Sequence, residues 1–228
     1  MGNLIICTDS SDLIVGLTGF TTTVDYSFAS PDTNPHGVTF NGTDIISCDT
    51  GNDEITLHDG KTSTEQTQFA SPGPYPSGLS SDDTDLFSLE RFNDTVYLHD
   101  GITTTIQTSY VIAGAGNPRG LLWDGVYTYS GDFTTDYVTQ NVGMTTTNEA
   151  YVYYGGTVSL MSGLSGDGTD IYMTDSGTQT VWQFSGLTTT EVTSITVAYA
   201  SNNGAAWDDI SARLGSDEPA FIPNITIF

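Results

Sequence analysis

The chain has 228 residues and sets 28 Asp and Glu against 4 Lys and Arg, a formal net charge of −24 with only 14% of residues charged. A one-signed surface of that kind repels a phosphate backbone and disfavours nucleic-acid binding. With 37% hydrophobic and 11% aromatic residues the chain still carries enough apolar surface to fold as a globular domain.

At the N-terminus, Met1-Gly2-Asn3 followed by Leu4 to Cys7 lacks the basic segment and long apolar run of a signal peptide, and no stretch approaches a membrane span. Gly2 does not open a myristoylation motif, because Ile6 stands where Ser or Thr is needed. The expected location is a virion or extracellular surface reached without a conventional signal peptide, and otherwise the cytoplasm, with no membrane insertion. The two cysteines, Cys7 and Cys48, are too few for a disulfide scaffold and are expected as buried thiols.

Leu4 to Thr8 reads as a short strand, and a complete unit follows it. Gly37 to Phe40 is a first strand, Asn41-Gly42 turns into a second, Ile45 to Cys48, and an Asp/Gly-rich loop leads to a third, Glu54 to His58. Asp59-Gly60 then turns into a Thr-rich fourth strand, Thr62 to Phe69. Thr, Tyr, Val and Ile dominate these segments and no 3.6-residue apolar period persists, so the fold class is all-β.

The unit recurs down the chain. A turn glycine ahead of a threonine cluster appears at Gly19, Gly60, Gly101, Gly143 and Gly186, at spacings of 41, 41, 42 and 43. A second marker, a glycine opening a short apolar stretch, appears at Gly37, Gly78, Gly120, Gly163 and Gly204, at spacings of 41, 42, 43 and 41. Two markers out of phase with one another give five repeats of about 42 residues. The last repeat ends in a lone first strand, Gly204 to Trp207, which can complete the N-terminal unit and leave no open sheet edge. Four strands per repeat without helices predict a five-bladed β-propeller of four-stranded antiparallel blades over residues 1–209, with an extension over 210–228.

The units Asn34-Pro35-His36-Gly37, Asn117-Pro118-Arg119-Gly120-Leu121-Leu122-Trp123-Asp124-Gly125 and Ile171-Tyr172-Met173-Thr174-Asp175-Ser176-Gly177 resemble the blade pattern of the NHL/YVTN/SMP-30-like propeller superfamily. The resemblance covers about residues 3–209. It implies a propeller but not a function, because that superfamily hosts hydrolases, lectins, scaffolds and adhesins. It also implies that the binding face carries the loops leading into the first strands and the loops following the second.

On that face the residues ahead of the marker glycines are His36, Ser77, Arg119, Ser162 and Asn203, a polar ring around the channel mouth. The loops after the second strands contribute Asp9, Asp49, Glu90, Asp132 and Asp175. The SMP-30-like resemblance implies that carboxylates here could hold a divalent ion such as Ca²⁺. Against this, an Asp ahead of Ser, Thr or Gly caps its own loop, and these acids follow the repeat, whereas metal ligands usually break it. No cofactor is therefore expected. His58 and His99 share one slot on the opposite face and cannot converge with His36. No acid lies within the innermost strands, so an enzyme is not expected.

Phe40, Trp123 and Trp207 share a slot suited to packing between blades. Tyr75, in Pro74-Tyr75-Pro76, is the better candidate for an exposed ring. The apolar tail residues Phe221, Ile222, Ile225, Ile227 and Phe228 either fold back on the ring or dock into a neighbouring protein.

These features lead to a non-enzymatic structural or binding module, a virion-associated protein of a phage tail or capsid surface used for decoration or adhesion. The alternative is a lectin-like propeller recognising cell-surface glycans, and a metal-dependent lactonase-like hydrolase stands third. The expected partners are structural proteins of an assembly, a second copy of the chain included, or a surface glycan.

Overall fold

The computed structural model describes residues 2–8, 11–198 and 202–208. Among them the chain forms twenty strands in five four-stranded antiparallel sheets. Blade one joins Asn202–Trp207 to Leu4–Thr8, Leu13–Leu17 and Val24–Ala29, so the first and last described strands share one sheet, as the phase of the repeat predicts. Leu4 pairs with Trp207, Ile5 with Ala206 and Ile6 with Ala205. Blades two to five begin with Pro35–Phe40, Pro76–Ser81, Pro118–Trp123 and Met161–Gly166, and each continues outward through its next three strands.

Burial falls from the axis outward, and the sequence follows it. The inner strand Pro35–Phe40 and the second strand Ile45–Asp49 are buried throughout, whereas the outer strand Glu65–Ala70 is almost wholly exposed. Second strands are covered on both sides, so alternate residues serve different seams. Leu4 and Ile6 pack toward blade five with Tyr172 and Val181, while Ile5 and Cys7 pack toward blade two with Val38 and Phe40. One apolar cluster fills each of the five seams among the described residues. Trp207 stacks on Tyr172 at 4.7 Å and Trp123 on Phe87 at 4.9 Å, both across seams. Cys7 and Cys48 are buried and form no disulfide.

The second marker glycine is a steric requirement of the axis. A Cβ on Gly37 would lie 3.0 Å from the Ser77 carbonyl, on Gly78 2.7 Å from that of Arg119, and on Gly120 2.8 Å from the Leu164 nitrogen. On Gly163 it would lie 2.6 Å from the Asn203 carbonyl and on Gly204 2.8 Å from that of His36, which closes the circuit. Inner strands so close leave an axial space too narrow for a water molecule.

Two strand limits differ from the sequence reading. The inner strands start two residues early, at Pro35 and Pro76, and their pairing slips between Pro35 and Gly37 and between Pro76 and Gly78. The same slip occurs in blades four and five. The Thr-rich fourth strand is also shorter than expected, Glu65–Ala70, because the threonines build the turn before it. Gly60 adopts φ +61°, Thr62 Oγ1 donates to the Asp59 carbonyl at 2.8 Å, and the Thr64 amide donates to Thr62 Oγ1 at 3.2 Å. Thr21, Thr103, Thr145 and Thr188 repeat that hydroxyl bond.

Candidate ligand-binding site at the mouth

The slips in pairing are β-bulges, and the extra residues are His36, Ser77, Arg119 and Ser162. A bulge re-aims one side chain without ending the strand, so the polar ring read from the sequence is built by one backbone device used repeatedly. Asn203 stands at the matching irregularity of blade one. The five side chains have different tasks. Ser77 donates to the Pro118 carbonyl at 3.2 Å and Ser162 to the Thr174 carbonyl at 3.2 Å, both fully buried. They tie strands together.

His36, Arg119 and Asn203 are placed differently. Arg119 lays its guanidinium over the Phe133 ring at 3.6 Å. His36 is 5% exposed and meets Arg91 Nη1 at 3.3 Å through Nε2. A guanidinium only donates, so Nε2 accepts and the ring proton lies on Nδ1, which has no hydrogen-bond partner. Burial, followed by the charges of Arg91 and Arg119, holds the His36 pKa well below its ordinary value, so the ring is neutral. Asn203 Nδ2, on the neighbouring inner strand, is likewise a buried donor without a partner.

Beside them lies the Tyr75 loop. Tyr75 is 44% exposed and has φ +62°, a left-handed conformation rare for a bulky side chain. The equivalent slot in blade two holds Asn34 at φ +64°, a residue type that accepts this backbone readily. The Tyr75 conformation is fixed from both sides: its amide donates to Asp53 Oδ1 at 2.6 Å and its carbonyl accepts from the Arg91 amide at 3.3 Å. Arg91 crosses the Tyr75 ring at 5.2 Å, and Phe92, 70% exposed, lies 6.4 Å from it. The sequence reading found Tyr75 but passed over Arg91 and Phe92. The available signal was Arg91 itself, one of four cations in the chain.

The carboxylates weighed as metal ligands bind backbone amides. Asp49 Oδ1 accepts from Gly51 at 2.6 Å and Asn52 at 2.9 Å, and Glu90 accepts from Phe92 at 2.7 Å and Asn93 at 3.1 Å. Asp175 accepts from Ser159, Gly177 and Thr178, and Asp132 from Gly116, Asn117, Thr134 and Thr135. Burial alone would raise the Asp132 pKa, but its four amides outweigh that and hold it below the usual value. At Asp49 burial prevails over two amides, and the pKa is raised. Among the described residues no three His, Cys, Asp or Glu side chains gather as a metal site. Asp9 and the tail residues Phe221 to Phe228 lie outside the described residues.

On the opposite face, Ser47 meets His58 and Ser88 meets His99, each at 2.8 Å and buried within the blades. Burial lowers His58 to about 4, with the Thr62 carbonyl acting the other way, and lowers His99 in the same sense.

No family model matches the chain, and no curated protein matches it. Solved structures do. A chain of the nidogen/laminin complex is similar with TM-score 0.64 and 15% identity over 92% of this chain and 99% of that one. Glutaminyl cyclase of Myxococcus xanthus gives 0.63 and 16% over 72% and 71%. Virginiamycin B lyase of Staphylococcus aureus gives 0.52 and 17% over 86% and 67%. At such identities the likeness shows the propeller fold alone.

Proposed function

We propose that this chain is a non-enzymatic adhesion module, a propeller that recognises a glycan through the mouth face of blade three. The observation that carries the proposal is Tyr75. An aromatic residue is kept in a left-handed conformation and half out in solvent, beside Arg91 and Phe92, in a slot where its counterpart is asparagine. Strain kept at an exposed aromatic is characteristic of a recognition site. The shut axis and the inner strands without acids support binding rather than turnover. The structures that share the fold serve both catalysis and a protein complex, so they do not choose between them.

The 28 acids and single lysine favour a virion or other exposed surface as the setting. A glycan array is the direct test. Reproducible binding to one sugar class, lost in Tyr75→Ala and weakened in His36→Ala and Arg119→Ala, is the expected outcome. An array without binding would reject the reading and return the chain to a purely structural role.

A further inference from the structure

We propose that the outer edge of blade four is a second sugar-binding surface, a row of three tyrosines that takes a neutral, flat oligosaccharide; it shares no residue with the mouth site and does not depend on it. The strand Asn148–Tyr153 is the outermost of its sheet and pairs with Tyr137–Val142. Tyr137 stands opposite Tyr153 and Thr139 opposite Tyr151, so the period of two puts the three rings on one face. Ala150 and Val152 take the other face and pack into the cluster of Met161 and Phe184. Tyr137 stacks on Tyr151 at 4.3 Å and 22°, and meets Tyr153 at 4.9 Å and 44°. The Tyr153 ring lies against Gly155, where any side chain would collide with it. The row is thus held in place before a ligand arrives, which lowers the ordering cost of binding.

The fold does not ask for these rings. The matching outer-strand positions are Ser27 and Ala29 in blade one and Ser194 and Thr196 in blade five, and blades two and three hold no aromatic residue there. Tyr151 and Tyr153 are nevertheless 48% and 53% exposed, and apolar surface bared on an edge strand is a liability unless something uses it. Size and charge select the user. Two half-exposed tyrosines leave about 200 Å² open, far short of the roughly 800 Å² that each partner of a stable protein complex buries. The C–H face of a pyranose stacks on an aromatic ring of this size, and the tyrosine hydroxyls bond the hydroxyls of the sugar. Glu149, exposed two residues before Tyr151, adds an acceptor for them. With Asp136 next to Tyr137 and a net charge of −24, that carboxylate disfavours an acidic ligand. In β-linked chains of glucose or N-acetylglucosamine the ring hydroxyls are equatorial, so both faces of each ring are C–H surface and successive rings can lie along the row.

Calorimetric titration with cellotetraose, chitotetraose and the α-linked maltotetraose tests the proposal. At least one β-linked tetraose is expected to bind about tenfold more tightly than maltotetraose. Tyr151→Ser/Tyr153→Thr gives blade four the residues that blade five carries, and is expected to weaken that binding about tenfold. Should the double variant fail to fold, Tyr151→Ser alone is expected to cost about threefold. Tyr75→Ala is expected to leave tetraose binding unchanged. No binding of any tetraose, equal binding of maltotetraose, or binding that survives the blade-four substitutions overturns the proposal. Tetraose binding lost in Tyr75→Ala instead places the sugar at the mouth, which overturns the second surface and leaves the first reading standing. A proline-rich peptide that binds more tightly than every tetraose and is lost in the double variant overturns the sugar assignment. So does a wild-type dimer, seen by sedimentation velocity, that the double variant dissociates.

Discussion

The two faces of the ring follow opposite rules. On the face of the Gly-Thr turns, each blade repeats the same threonine hydroxyl bond to a carbonyl three residues earlier. The five glycines of those turns all have positive φ. On the mouth face the backbone bulge is repeated, but its side chains diverge: Ser77 and Ser162 tie strands, His36 meets Arg91 of the neighbouring blade, and Arg119 lies over Phe133. Where a repeat is obeyed it reports a backbone need common to every blade. Where one blade departs from it at a strained, exposed position, the departure marks a task the fold does not impose.

Breaking the repeated elements should cost the most. Gly78→Ala pushes a methyl group against the Arg119 carbonyl, which is backbone and cannot rotate away. Urea titration is expected to show a loss of about 3 kcal/mol or a failure to fold. Asp132→Ala orphans the amides of Gly116, Asn117, Thr134 and Thr135. Its expected loss is about 2–3 kcal/mol. Because the Asp132 pKa is lowered in the fold, that contribution is present above the ordinary carboxylate range and fades as pH falls through the folded value. A wild type no more acid-sensitive than Asp132→Ala would contradict it.

The buried histidines should give a pH-dependent effect with a defined window. His58 drops from 6.5 to about 4 in the fold, so between those values the unfolded chain binds the proton that the native chain refuses. Stability is therefore full above pH 6.5 and falls as pH approaches 4. Comparing melting curves of wild type and His58→Gln/His99→Gln cancels the carboxylate contributions. The double variant should lose less over the window, and equal slopes would show that the rings titrate as in water.

The mouth aromatics should give the smallest stability effects. Phe92→Ala is expected to change stability by less than about 0.5 kcal/mol, and Tyr75→Asn to leave it level or raise it by up to about 1 kcal/mol by relieving the left-handed tyrosine. A large loss at either position would assign these rings to the architecture instead and dissolve the contrast between the faces.

The repeat was legible because each blade needs a glycine where backbones nearly touch and another where the turn runs left-handed, and no other residue meets either need without strain. The strand limits were less so. Thr62, Thr103 and their equivalents look like strand residues by propensity, but their hydroxyls are spent in turns. The mouth candidates were named as one ring, and only their partners separate Ser77, bound to Pro118, from His36, set against Arg91.

By itself the sequence determined the all-β class, the count of five blades and the closure of the ring by the first and last strands of the repeat, since all three follow from local chemistry repeated at a fixed period. Tertiary structure alone decided that Arg91, 55 residues from His36, lies against it and against Tyr75. Contacts of that kind depend on how neighbouring blades pack, and no period in a single chain encodes them.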